Sequence, residues 1–226
     1  MSCGMSARDV RTLGVVLRRT NYGEADRILS VLTPEGKMSV MAKGVRKPRS
    51  KLAGGIEMFT VADLNMRFGR SEMGVLTGAK MVRHFASLVQ DYDRLTLASE
   101  ILKRVERVAE GADTAEYFKI VEQSLVALDD GGDVEMVEAW VLLNLRRVMG
   151  EEVNLYRDVA GDKLVAEAKY NWNGVEGAFE LNEQGEYGAD EIKLLRLMQT
   201  TELNVVQRVK CDKKTMRAVT ELARIV

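Results

Sequence analysis

Period-two alternation, repeated in five short runs within the first eighty residues, restricts this chain more than any other feature. Leu13, Val15 and Leu17 alternate with smaller or charged neighbours, as a strand with one buried face requires. Ile28 to Leu32 makes a second run, and Met38, Val40 and Ala42 make a third against Lys37, Ser39 and Lys43. Between them stands Thr33-Pro34-Glu35-Gly36. Its proline pre-sets the backbone at the second turn position and its glycine suits the fourth, so the two runs should form a hairpin. Ala62, Leu64, Met66 and Phe68 then oppose Asp63, Asn65 and Arg67. Gly69-Arg70-Ser71 turns the chain into a fifth run carrying Met73, Val75 and Thr77. Five short antiparallel strands in about 70 residues suit a small closed barrel of the OB type.

The period changes to three and four residues after Lys80. Leu95, Ala98, Leu102, Val105 and Ala109 share one helical face, as do Ala115, Phe118, Val121, Leu125 and Leu128. Val134, Val137, Val141, Leu145 and Val148 form a third stripe, broadened by Trp140 and Leu143 into a helix buried on most sides. Gly111 and Gly131-Gly132 punctuate these segments, with Asp113 and Asp133 as N-caps. Beyond Glu151 a short hairpin is expected from Lys163 to Leu181 around Asn171-Trp172-Asn173-Gly174. Helical segments follow from Asp190 to about Val209, broken near Thr200, and from Asp212 to Val226. The expected fold is α+β: an OB-fold β-barrel over residues 1–80, a central helical bundle over 81–150, and a small C-terminal α/β element over 151–226 whose hairpin and helices pack on the bundle.

Charge divides along the same line. Residues 1–83 hold 15 Lys and Arg against 7 Asp and Glu, a net +8, while the remainder holds 18 against 27, a net −9. Such a split points the first module toward a polyanion. Its densest feature is Lys43-Gly44-Val45-Arg46-Lys47-Pro48-Arg49-Ser50-Lys51, expected as an exposed, mobile loop between two strands. Lys43, Arg46, Lys47, Arg49 and Lys51 cannot neutralise one another. Nucleic-acid phosphates could, with counterion release driving binding, and Ser50 could add a donor. The other reading is a solvated loop that serves solubility. Lys37, Arg18 and Arg19 extend the basic surface. Tyr22, in the stretch Asn21-Tyr22-Gly23-Glu24, is the candidate base-stacking residue.

Catalytic constellations are sparse. No phosphate-loop motif occurs, and His84 is the only histidine, leaving little for a nucleophile–base pair. Asp158, Glu167 and Lys169 are the one arrangement that could hold Mg²⁺ and activate water, with 167 and 169 sharing a strand face. A metal-dependent nuclease or other DNA-processing enzyme is therefore the alternative to a non-enzymatic binding protein. An RNA-binding accessory protein is a third reading. Cys3 and Cys211 are too few for a disulfide framework and have no partners at metal-ligand spacing, which suits a reducing, cytoplasmic setting. No apolar run approaches the ~20 residues that span a bilayer, and the first residues lack a signal peptide's apolar core.

Gly14-Val15-Val16-Leu17-Arg18-Arg19, Asn21-Tyr22-Gly23-Glu24-Ala25-Asp26-Arg27, Thr33-Pro34-Glu35-Gly36-Lys37, Ala42 to Lys51, and Leu76-Thr77-Gly78-Ala79 together resemble the start of the bacterial RecO family. The match is dense over residues 11–80. The resemblance implies binding of single- and double-stranded DNA, annealing of complementary strands, and help in loading RecA onto strands coated by single-stranded DNA-binding protein, with RecR as partner. No cofactor is expected, because this sequence departs from the family at its zinc site. Many relatives carry a four-cysteine zinc knuckle near the C-terminus, whereas Leu155 to Leu181 contains no cysteine. The acidic helical part, with Arg146 and Arg147 as local cations, is expected to recognise a protein rather than DNA.

Overall fold

The computed structural model describes residues 8–109 and 114–226. Cys3, Gly111 and Asp113 lie outside the described residues. The chain divides into two compact units, Met1–Leu125 and Val126–Val226.

The first unit is built on five strands: β1 (Arg8–Tyr22), β2 (Asp26–Thr33), β3 (Gly36–Ala42), β4 (Thr60–Phe68) and β5 (Gly74–His84). They close into a barrel in the order β1-β2-β3-β5-β4. All neighbours are antiparallel except β3 and β5, which pair in parallel at Val40–Gly74 and Met41–Val75. Closure by that pairing leaves no free sheet edge and is the OB arrangement. The β2–β3 hairpin turns at Pro34-Glu35, where Thr33 Oγ1 accepts from the amides of Glu35 (3.2 Å) and Gly36 (3.1 Å). The interior packs Val16, Leu29, Val31, Val40, Ala42, Ala62, Leu64, Met66 and Leu76. Truncating a fully buried leucine such as Leu64 would cost about 2–5 kcal/mol.

Two strands face the other way from their expected orientation. In β1 the inward residues are Val10, Gly14 and Val16, so Leu13 is exposed. Val15 and Leu17 are buried, but on the barrel's outer side, where helix α1 (Tyr92–Val108) packs against the strand. In β5 the inward residues are Gly74 and Leu76, while Thr77 is exposed. Register shifts between Val61 and Ala62 and between Asn65 and Met66 change the pairing along β4–β5, and each such irregularity moves side chains relative to the alternation. Asp91 caps α1 by accepting from the amides of Asp93 and Arg94. His84 ends β5 and bonds across to Thr60 (Nδ1 to Oγ1, 3.0 Å), a structural pairing between strand partners.

Helix α2 (Thr114–Asp129) leads into the second unit, which continues with α3 (Val134–Val148) capped by Asp133. Helix α3 buries Met136, Val137 and the whole run Ala139–Leu145, as the broad apolar stripe requires. The hairpin consists of β6 (Tyr170–Asn173) and β7 (Ala178–Leu181), so its turn lies at 174–177 and Asn171 to Asn173 belong to the strand. Phe179 is fully buried and meets Tyr170, Trp172 and Tyr187 edge-on at 6.2, 5.3 and 5.5 Å. Burial pushes the Tyr187 hydroxyl up to about 12. Helices α4 (Ala189–Thr200), α5 (Leu203–Val206) and α6 (Lys213–Ile225) follow, with Asp212 capping α6. The fold is α+β. Among the described residues, no helix is long and apolar enough to cross a membrane.

Candidate nucleic-acid interface

The segment between β3 and β4 is a chain of turns fastened at both ends. Val45 is 4% exposed and Ile56 fully buried, both inside the barrel core. Gly44 adopts φ +63°, a left-handed conformation open to glycine at little cost. It starts a turn in which the Lys47 amide donates to the Gly44 carbonyl at 3.1 Å, followed by Ser50 N–H to the Lys47 carbonyl at 3.0 Å. A short 3₁₀ turn at Ala53–Ile56 completes the segment. At Gly55 a Cβ would stand only 2.6 Å from that of Ala79, so only glycine lets this turn close against β5. The expected loop is thus a succession of turns held by Val45, an apolar anchor set among cations.

Lys43, Arg46, Lys47, Arg49 and Lys51 all project into solvent, with Ser50 half-buried. Ser50 Oγ accepts from the Leu52 amide at 3.3 Å. None of the five cations meets a carboxylate among the described residues, and Arg46 alone has a protein acceptor, the Gly23 carbonyl at 3.1 Å. That bond joins the basic loop to the β1–β2 turn. A second tie is the Arg46 amide donating to the Ala25 carbonyl at 2.9 Å, and a third is the Gly44 amide donating to Asp26 Oδ1 at 2.6 Å. Tyr22 is the last residue of β1, paired with Asp26, rather than a loop residue. It is 53% exposed and immediately precedes Gly23, whose carbonyl accepts Arg46.

The remaining basic candidates are engaged. Arg18 pairs with Glu106 at 2.9 Å and Arg19 with Glu57 at 2.6 Å. Lys37 Nζ donates to the Glu106 carbonyl near the end of α1 at 2.7 Å, a favourable site for a cation facing a helix C-terminus. Sequence reasoning missed Asp26, which holds the loop by its carboxylate. It is 18 positions from Gly44, and no local pattern announces such a bond.

The Asp158–Glu167–Lys169 arrangement is not a strand constellation. Asp158 Oδ1 accepts from the amides of Ala160 (3.0 Å) and Asp162 (2.9 Å). Glu167 lies in a turn, and both Glu167 and Lys169 precede β6, which begins at Tyr170. Among the described residues no three His, Cys, Asp or Glu side chains gather as a metal would need. Arg146 pairs with Glu151 at 3.2 Å, and Arg147 donates to Asn144 Oδ1 at 3.3 Å.

Residues 5–85 match the profile of the recombination protein O N-terminal domain, and residues 89–224 match its C-terminal counterpart. The chain belongs to the RecO family. It is 31% identical to the DNA repair protein RecO of Roseiflexus sp. (strain RS-1), over 96% of this chain and 79% of that protein. It is 27% identical to the DNA repair protein RecO of Dehalococcoides mccartyi (strain ATCC BAA-2266), over 92% and 85%. With that of Heliobacterium modesticaldum it shares 39% identity, confined to 49% of this chain and 41% of the relative. The barrel with the basic loop thus lies within the RecO N-terminal match, and the aromatic hairpin lies within the C-terminal one.

Proposed function

We propose that this RecO-family DNA repair protein is a non-enzymatic recombination mediator. It binds single- and double-stranded DNA through the basic loop of its barrel, anneals complementary strands, and with RecR assists RecA onto strands coated by single-stranded DNA-binding protein. The observation that carries the reading is the set of five solvent-facing cations without a carboxylate partner among the described residues. Cations held close together repel unless a polyanion lies among them, and phosphates release condensed counterions as they bind. Such contacts carry no base information, so recognition is insensitive to sequence, as annealing of arbitrary strands requires. Residues 1–80 supply this nucleic-acid module, and residues 81–150 and 151–226, acidic overall, supply protein contacts. Two complementary oligonucleotides, each coated with single-stranded DNA-binding protein and end-labelled, test the reading. The chain should accelerate their pairing, and single-strand affinity should follow a log–log salt slope of about −3.5, as ~5 phosphate contacts give. A pairing rate equal to that without the protein would sink the proposal.

A further inference from the structure

The tip of the β1–β2 hairpin carries two carboxylates, Glu24 in the turn and Asp26 at the start of β2, beside the loop proposed as the polyanion site. By charge alone each should oppose phosphate, and removing either should tighten binding. Their surroundings differ. Glu24 is exposed and has no partner among the described residues. Asp26 is half-buried, and its Oδ1 accepts the Gly44 amide at 2.6 Å, a short bond strengthened by the carboxylate's charge. Gly44 stands where β3 gives way to the basic loop, immediately after Lys43 and two residues before Arg46. The neighbouring ties, Arg46 N–H to Ala25 carbonyl and the Arg46 guanidinium to Gly23 carbonyl, close the same short link between turn and loop.

We propose that Asp26 is a positioning residue of the interface: its carboxylate clamps the start of the basic loop to the start of β2, fixing the loop segment from Lys43 to Arg46 before DNA arrives. The inference rests on the loop being the DNA contact. A loop ordered in advance loses less freedom when it binds, so the clamp strengthens affinity although Asp26 itself repels phosphate. The two effects of one carboxylate have opposite signs, and the net sign is measurable.

The test compares Asp26→Ala, Asp26→Asn and Glu24→Ala in the full chain, using a labelled single-stranded oligonucleotide at several salt concentrations. Asp26→Ala should weaken binding about tenfold with an unchanged salt slope, because the same cations still reach phosphates after paying more in ordering. Asp26→Asn keeps an acceptor oxygen without the charge and should restore affinity to the parent's level or above. Glu24→Ala should bind slightly tighter. Amide hydrogen exchange at Gly44 and Arg46 should accelerate in Asp26→Ala alone. Binding by Asp26→Ala as tight as the parent's, or an Asp26→Asn protein as weak as Asp26→Ala, would overturn the proposal. The loop reading fails separately, if the combined variant R46E/K47E/R49E binds like the parent, and the exchange rates then still report whether Asp26 holds the loop.

Discussion

Two populations of cations occupy one barrel. On its wall, Arg11 forks onto Asp63 (2.6–3.1 Å) and Arg67 onto Asp9 (2.7 and 3.0 Å), while Arg18 and Arg19 reach Glu106 and Glu57. In the β3–β4 loop five cations crowd nine residues with no carboxylate against them among the described residues. The +8 of the first 83 residues is therefore unevenly available. Arg11, Arg18, Arg19 and Arg67 are matched by carboxylates within the protein, whereas the loop charge is directed outward. A net charge computed from sequence treats both alike; the pairing decides which cations can meet a phosphate.

The sharpest way to break that comparison is the combined variant R46E/K47E/R49E. It removes three cations that have no carboxylate partner among the described residues and adds three negative charges, so DNA affinity at moderate salt should fall at least about a hundredfold, equally for unrelated sequences. The exposed positions leave the melting temperature and circular dichroism near those of the parent. Parental binding by the folded variant would show that unpaired charge in this loop is only a solvated surface.

Tyr22 separates electrostatic capture from base contact. Stacking on an aromatic ring contributes about 1–3 kcal/mol per base, so Tyr22→Ala should weaken single-strand binding roughly tenfold. Duplex binding should change far less, because duplex bases already stack on each other. Equal losses on single strands and duplex, measured by fluorescence anisotropy, would remove Tyr22 as a stacking platform.

How much of this was legible in the sequence depended on range. The inner faces of β3 and β4 follow directly from Met38–Val40–Ala42 and Ala62–Leu64–Met66, since one solvated face leaves a clean alternation. In β1 the run Gly14 to Leu17 is buried on both sides of the strand, and period two cannot then say which side is inner. In β5 the glycines at 74 and 78 remove apolar markers, and the register shifts move the rest. The basic loop was visible because its charges are neighbours in sequence. Its fastening was not: Asp26 lies 18 positions from Gly44, and Gly23 lies 23 from Arg46. The cancelled wall charge was hidden for the same reason, with Arg11 and Asp63 separated by 52 positions and Arg18 and Glu106 by 88. In the second unit, an absence of cysteines between Leu155 and Leu181 was plain, but the Phe179-centred aromatic cluster is assembled from Tyr170, Trp172 and Tyr187 only by the hairpin and the backbone bonds between Tyr170 and Tyr187.

The smallest expected effect tests the wall itself. Hydrogen bonds from Arg67 and Arg11 hold the Asp9 and Asp63 carboxyls below the usual carboxylate range. A lowered folded pKa means the pairs stabilise fully above the unfolded value near 4 and lose that contribution as pH falls through the folded one. Their share of stability should thus be flat from pH 6 to 9 and decline only below about pH 4. Both pairs are solvent-exposed, so the double variant R11Q/R67Q should melt within about 2 °C of the parent at neutral pH and lose part of the acid-side decline. Its DNA affinity should fall less than about threefold, because the lost cations were already matched by Asp63 and Asp9. The remaining change comes from leaving those carboxylates unpaired, and restoring neutrality with D9N and D63N in the same chain should reverse it. A loss as large as that of the loop variant would mean that phosphate competes successfully for Arg11 and Arg67. The wall would then belong to the interface, and pairing within the free protein would no longer distinguish cations that bind DNA from those that do not.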